Sequence, residues 1–288
     1  MNKPVFFIFV FLIVANIFTW SICIPLFSVN NELMLDFIDV GQGDSCFIKT
    51  SEGYKIIIDG GPDYHKAIEE INQEIPFWDR EIDLMIITHP EQDHFIGLFR
   101  ILNSYRVKNI VWSGAEKQTQ SFENFKIAVD QEKQEGCQVF ELSAGDKIIA
   151  GRTEMFVLFP FDSTDKNSKK TNSSAIVLKM SFDENNFLFP ADIGSEEEKL
   201  IIESGQNIGA DVLKIGHHGS KYSTSDEFLL QVSPKISVIQ TGENSYGHPA
   251  EETLFRLEKN KIKTYRNDLN GSIKIISDGW NLKTIVDK

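Results

Sequence analysis

From Pro4 to Asn31 the chain carries no charged residue, and Val5 to Val29 is almost wholly apolar. As a helix that run would rise roughly 37 Å, against about 30 Å of hydrocarbon in a bilayer. No polar face interrupts it, which argues against a buried core helix. Lys3 precedes the run, and Glu32 and Asp36 follow it. The positive-inside tendency then leaves the N-terminus cytoplasmic and the remainder outside. Residues 1–31 are therefore expected to form a single-pass membrane anchor, with a cleaved signal peptide and a secreted product as the alternative. In both cases residues 32–288 form the extracytoplasmic domain.

Beyond Asn31 the pattern changes to short apolar runs alternating with amphipathic stretches. The runs predict strands at Met34–Val40, Ser45–Thr50, Lys55–Asp59, Leu84–Thr88, Asn109–Trp112 and Met155–Phe159. Later strands are expected at Ala175–Ser181, Asn186–Phe189, Val212–Ile215, Ile236–Thr241, Lys263–Arg266 and Ser272–Ser277. Helical spacing predicts His65–Glu74, Phe95–Asn103, Phe122–Glu135, Glu196–Ser204, Asp226–Val232 and Ala250–Asn260. Ser195 to Glu198 has the form of a capping box, with Gly205 as the matching stop. This mixture suggests two antiparallel or mixed sheets packed together and covered outside by helices. The polar stretch Phe161–Ser174 is the best surface loop, and nothing resembles a linker between independent domains.

Chemistry gathers where these strands end. Thr88-His89-Pro90-Glu91-Gln92-Asp93-His94 follows the apolar run Leu84–Ile87, so a buried strand delivers two imidazoles and two carboxylates at a sheet edge. Those are the groups a divalent metal takes when it activates water. Four of the six histidines fall in two pairs, His89/His94 and His217/His218. Acids also close other strands: Asp39 and Asp44 in Asp39-Val40-Gly41-Gln42-Gly43-Asp44, Asp59 before Gly60-Gly61, and Asp192 after Phe189-Pro190-Ala191. Each of these has a plain turn-forming reading beside the functional one. Adjacent His217 and His218 are expected to point to different sides, one toward metal and one toward substrate. His248 follows another strand, whereas His65 sits on a helix without partners and is taken as surface.

Composition narrows the picture. A formal net charge of -13 argues against a non-specific nucleic-acid binder, which needs a basic surface. Three cysteines without paired spacing exclude a zinc–thiolate cluster. Cys46 and Cys137 are expected to pack as buried free thiols, with a bridge as the alternative in an exported domain.

The ordered segments FIDVGQGDS, IIIDGG, IITHPEQDH, NSSAIVLK, FLFPADI, DVLKIGHHGS and YGHP resemble the metallo-β-lactamase superfamily. More narrowly they are similar to the extracellular metallo-β-lactamase-like domain of ComEC/Rec2 competence proteins, from about Leu33 to Ser277. The resemblance implies a four-layer αββα sandwich with one or two divalent ions, zinc or manganese, at one edge. It assigns His89 and Glu91 to one metal site and Asp93 and His94 to the other, with Asp192 bridging and His217 completing the second. Asp59, and with it Asp39 and Asp44, would orient ligands. His218 and His248 would lie over the substrate, with Asn172 and Ser220 contacting it; Lys214 faces either substrate or solvent. Glu91 stands where the superfamily pattern HxHxDH has histidine, Ile96 replaces a usual glycine, and no histidine lies between His94 and His217. More oxygen ligands favour a harder ion. The expected activity is extracytoplasmic hydrolysis of a phosphodiester such as DNA. The alternatives are a small ester, lactam or phosphorylated cell-surface substrate, and a binding module that keeps the fold without turnover.

Overall fold

In β1 (Leu33–Phe37), Leu33, Leu35 and Phe37 turn to one face and are fully buried, while Met34 and Asp36 turn to the other. The same alternation recurs along β2 (Cys46–Lys49), β3 (Lys55–Ile58), β5 (Leu84–Ile87) and β7 (Asn109–Trp112). With β8 (Gln138–Glu141), β16 (Ile273–Ser277) and β17 (Leu282–Val286) these strands form an eight-stranded sheet, ordered β17-β16-β1-β2-β3-β5-β7-β8. It is antiparallel from β17 to β3 and parallel from β3 to β8. A second sheet contains β9 (Lys147–Ala150), β10 (Thr153–Phe159), β11 (Val177–Phe182), β12 (Asn185–Phe189), β13 (Val212–Lys214), β14 (Ile236–Ile239) and β15 (Lys263–Arg266). Its seven strands are ordered β15-β14-β13-β12-β11-β10-β9. Two short strands, β4 (Glu81–Ile82) and β6 (Arg106–Val107), pair beside the first sheet.

The computed structural model describes residues 31–161 and 171–288, with Leu12, Ile13 and Asn16. The chain divides into two units, 1–31 and 32–288. In the first, Leu12, Ile13 and Asn16 are helical and the Asn16 side-chain amide donates to the Leu12 carbonyl. The expected anchor otherwise falls outside the described residues. Among those described, no helix is long and apolar enough to cross a membrane.

The second unit is a mixed α/β fold. One apolar cluster lies between the sheets and draws Leu35, Ile48 and Ile86 from the first and Met155, Leu178 and Phe187 from the second. A second cluster joins the outer face of the first sheet to helices α1 (Lys66–Glu74), α2 (Gln92–Phe95), α3 (Leu98–Leu102) and α4 (Gln120–Gln134). A third joins the second sheet to α5 (Ser195–Glu203), α6 (Asp226–Val232) and α7 (Glu251–Lys259). A short α8 (Asn267–Asn270) precedes β16. Each buried Phe, Leu or Ile contributes roughly 1.5–3 kcal/mol relative to exposure.

Three local expectations are corrected. The helix expected over Phe95–Asn103 is two pieces, α2 starting at Gln92 and α3 at Leu98, so Asp93 and His94 ride on helix. Gly97 separates them, and a Cβ there would collide with the Gly60 carbonyl oxygen. The capping box is one residue early: Glu197 accepts the Gly194 N–H at 2.9 Å, with Gly194 as the cap. Strands β8, β9 and β17, absent from the apolar pattern, close the sheets. Cys46 and Cys137 are buried and unbridged.

Candidate metal centre

The C-terminal ends of β3, β5, β12 and β13 converge at one end of the two sheets and release Asp59, Thr88–His94, Asp192 and His217–His218 there. Asp93, His94, Asp192 and His218 each offer a ligand atom within 4.8 Å of the others. His94 Nε2 and His218 Nε2 lie 3.4 and 3.3 Å from Asp192 Oδ2, and His218 Nε2 lies 3.3 Å from Asp93 Oδ2. All but Asp93 are buried.

Backbone strain is concentrated at this point. His217 (φ 49°) and His218 (φ 53°) are consecutive left-handed residues, each costing roughly 1–2 kcal/mol. Hydrogen bonds hold them: His217 N–H donates to the Ala191 carbonyl at 3.1 Å, and Gly216 N–H to Thr224 Oγ1 at 3.2 Å. Strained residues held by their surroundings cluster at functional sites.

Asp59 fixes the imidazole beside it. Its carboxylate accepts from Thr88 N–H at 2.9 Å and Thr88 Oγ1–H at 2.6 Å, and lies 2.8 Å from His94 Nδ1. A donating Nδ1–H leaves the Nε2 lone pair of His94 facing Asp192. His218 Nδ1 lies 3.0 Å from the Gln240 carbonyl, which performs the same service for the second imidazole. The Gln240 side chain in turn donates to the Ser45 carbonyl at 2.8 Å, tying β14 to the first sheet.

The electrostatics suit a cation. Burial alone would lower the His94 and His218 imidazoles, yet Asp192 with Asp59, and Asp192 with Asp44, hold them well above the usual histidine range. Burial would raise Asp192, but His218 and His94 hold it well below the usual carboxylate range. Asp93 is likewise held low, against burial, by His218 and His94. Carboxylates that favour positive charge on two imidazoles mark a place of negative potential, which a divalent ion would satisfy. Burial pushes His89 down to about 3, so its ring is neutral at pH 7.

His89 Nε2, His94 Nε2, His218 Nε2, Asp44 Oδ1 and Asp192 Oδ1 are buried without hydrogen-bond partners among the described residues. Buried polar atoms rarely stay unpaired, and the orphaned His94 and His218 nitrogens on either side of Asp192 fit a divalent metal ligated by nitrogen and oxygen. A second grouping, Asp44, Asp59 and His94, is less suited to a cation. There Lys214 pairs with Asp44, and both oxygens of Asp59 are taken by Thr88.

Several expected roles change. His218, expected over the substrate, is 2% exposed and belongs to the tight grouping, whereas His217 is one-third exposed and 3.8 Å from Asp192. The two rings point to different sides, as expected, and the left-handed pair turns the second one inward. His89 packs 4.1 Å from the His94 ring, outside the tight grouping, with Nδ1 against Thr88 Oγ1 at 2.9 Å. Glu91 is also outside it, because its carboxylate is engaged by Lys117 and Thr171. Lys214 is buried beneath the site on Asp44, with Asp192 3.7 Å away, and faces neither substrate nor solvent. Asp39 lies apart: it accepts Gly41 N–H in its own turn and faces Lys288 at 3.8 Å.

Two clefts flank the grouping. One, of about 1090 Å³, is lined by Glu91, Lys117, Asn172, Asp192, His217 and Tyr222. The other, of about 1020 Å³, is lined by Ser220, Lys221, Tyr222, Tyr246, His248 and Arg256. The His217 and His248 rings stand 5.5 Å apart where the clefts approach each other. Thr88, Lys117, Gln240 and Tyr222 escape the sequence reading as individual residues. Gln240 alone carries a signal, a polar residue closing an apolar strand.

Comparison with known proteins bears on the family and the fold. The chain is 32% identical over 263 residues to ComE operon protein 3 of Bacillus subtilis, a match covering 85% of this chain and 33% of that protein. It is 24% identical over 245 residues to Recombination protein 2 of Haemophilus influenzae, covering 84% and 28%. The chain thus spans about a third of the length of these curated relatives. The crystal structure of the metallo-beta-lactamase fold protein YhfI from Bacillus subtilis superposes with a TM-score of 0.57. That match has 9% identity and covers 85% of this chain and all of that one, and it speaks for the fold. The family model of the metallo-beta-lactamase superfamily matches residues 38–243, most of the folded unit, and the chain belongs to that superfamily.

Proposed function

We infer that the protein is an extracytoplasmic metal-dependent hydrolase of phosphodiesters, with DNA as the leading substrate, held at a membrane by its charge-free N-terminal segment. The convergence of Asp93, His94, Asp192 and His218, with imidazole nitrogens left free toward Asp192, carries the reading. A divalent cation held by those residues lowers the pKa of water and neutralises charge developing on a phosphate. Zinc or manganese, as one or two ions, suits the mixed nitrogen and oxygen set.

The chain's own groups do the remainder. His217, one-third exposed beside Asp192, is placed to pass a proton between solvent and the reacting group at Nε2. His248 is held below its usual range by burial and by His217 and His218, and it faces the second cleft, where substrate would bind. Asn172 and Ser220 line the two clefts at positions suited to binding substrate oxygens. The name of one relative, Recombination protein 2, speaks of recombination, which favours a nucleic-acid substrate.

One observation favours the smaller-substrate reading. Glu91, Glu116, Glu196 and Glu197 line the first cleft and repel a long polyanion. The full chain, loaded with manganese or zinc, separates the two when assayed on DNA, bis-p-nitrophenyl phosphate and nitrocefin. Phosphodiester cleavage that falls to background in Asp192→Ala is the expected result. Nitrocefin turnover alone, or full phosphodiesterase activity in Asp192→Ala, overturns it.

A further inference from the structure

The end of the sandwich away from the metal grouping carries an aromatic surface that the site does not use. β1 and β3 run in the same direction, each being antiparallel to β2, and Asp59 follows the last residue of β3. Leu33, which opens β1, therefore lies at the far end, beside Ser277 at the close of β16. The hairpin between β16 and β17 turns there with Trp280, 71% exposed. The connection from α1 to β4 reaches the same end, since Lys55, at the start of β3, pairs with Asp79 at 2.5 Å. It presents Phe77 and Trp78, 78% and 67% exposed, packed edge to face at 4.9 Å.

These turns rest on a braced base. Arg152 N–H donates to Glu52 Oε1 at 3.0 Å, the Arg152 guanidinium pairs with Asp183, and Glu184 N–H donates to the Gly279 carbonyl at 3.0 Å. The hairpins β2–β3, β9–β10, β11–β12 and β16–β17 are thereby tied together.

Single exposed apolar side chains are ordinary on a protein surface. Here the occupant is indicated by where the chain enters. Glu32, next to Leu33, is the first charged residue after the uncharged stretch Pro4–Asn31, so that stretch joins the fold at this end. Tryptophan concentrates at the bilayer boundary because its ring is apolar and its N–H prefers water. Of four tryptophans, Trp78 and Trp280 stand exposed at this end, Trp20 lies in the uncharged stretch, and Trp112 packs half-buried under α4.

We propose that Phe77, Trp78 and Trp280 form a seat on the lipid headgroup layer, so that both clefts open away from the bilayer. Asp79, Arg80 and Asp278 flank the rings and remain in headgroup water. The seat rests on the anchoring reading above and adds an orientation to it.

The test uses the full chain reconstituted in vesicles of phosphatidylcholine and phosphatidylglycerol whose acyl chains are dibrominated near the headgroup. Flotation reads anchoring, and quenching of tryptophan emission reads the seat. With Trp20→Phe as the background, the protein is expected to float and to lose most of the emission of Trp78 and Trp280. Adding Trp78→Phe and Trp280→Phe abolishes the quenching while flotation persists. Tyr246→Trp in that triple background places an indole at the cleft end, and its emission is expected to stay bright. A protein that floats with Trp78 and Trp280 unquenched, or with the Tyr246→Trp indole quenched as strongly as they are, overturns the seat and leaves anchoring intact. A protein that fails to float overturns both.

Discussion

Asp59 and Asp39 show what a single residue can and cannot reveal. Both close a strand and both precede glycine within two positions. Only Asp59 faces His94, because a left-handed backbone at φ 57° aims its carboxylate back over β5. Asp39 instead closes its own turn near Lys288. The exchange between His217 and His218 also rests on local conformation, since both residues are left-handed and the buried side falls to the second of them. Asp59 yields a direct prediction. Asp59→Asn keeps the volume but turns an acceptor into a donor, and an amide donating to His94 Nδ1 moves the imidazole proton to Nε2. The ring then has no lone pair for the metal. Affinity for zinc or manganese should fall ~10–100-fold, as for other partners that orient a ligating histidine. Competition against a chelator of known affinity measures it, and an unchanged constant would show that Asp59 does not set the tautomer.

At the scale of elements, interior strands are legible in the sequence and edges are not. β2, β3, β5, β12 and β13 are apolar on both faces because sheet and helices cover them, so each stands out as an apolar run. β8, β9 and β17 lie at sheet edges, are half exposed and each carry one charged residue, so they offer no unbroken apolar run in the sequence. The helix after β5 begins before its apolar spacing does, since Gln92 to His94 are polar and their helical turn is set by the site. α2 has only four residues and draws its stability from Phe95, which is fully buried against Phe122 and Phe125 at centroid distances of 5.4 and 5.2 Å. Phe95→Ala should cost ~3–5 kcal/mol by leaving a cavity, and it should loosen Asp93 and His94 on the same turn. Urea unfolding gives the first quantity and metal titration the second. A stability loss with undiminished metal affinity would show that the turn is held by its ligands alone.

For the whole molecule, the four grouped residues come from both sheets. Asp93 and His94 follow β5 of the first; Asp192 and His218 follow β12 and β13 of the second. The sheets otherwise meet through an apolar interface without direction and through a few polar ties such as Gln240 to Ser45. A cation bound there would clasp that interface, and without one the buried carboxylates and imidazoles would have to hold one another. Since a metal that binds the native state alone stabilises it by mass action, a hundredfold excess over its dissociation constant adds ~2.7 kcal/mol. For a unit of this size each kcal/mol moves the melting temperature by about 2–4 °C. Removing metal with a chelator should lower the midpoint by roughly 5–11 °C, and readdition of zinc or manganese should restore it. Asp192→Ala, lacking the carboxylate between the two imidazoles, should melt at the same temperature with and without metal. A chelator-insensitive midpoint in the parent protein would mean that the ion, where it binds, does not join the two sheets.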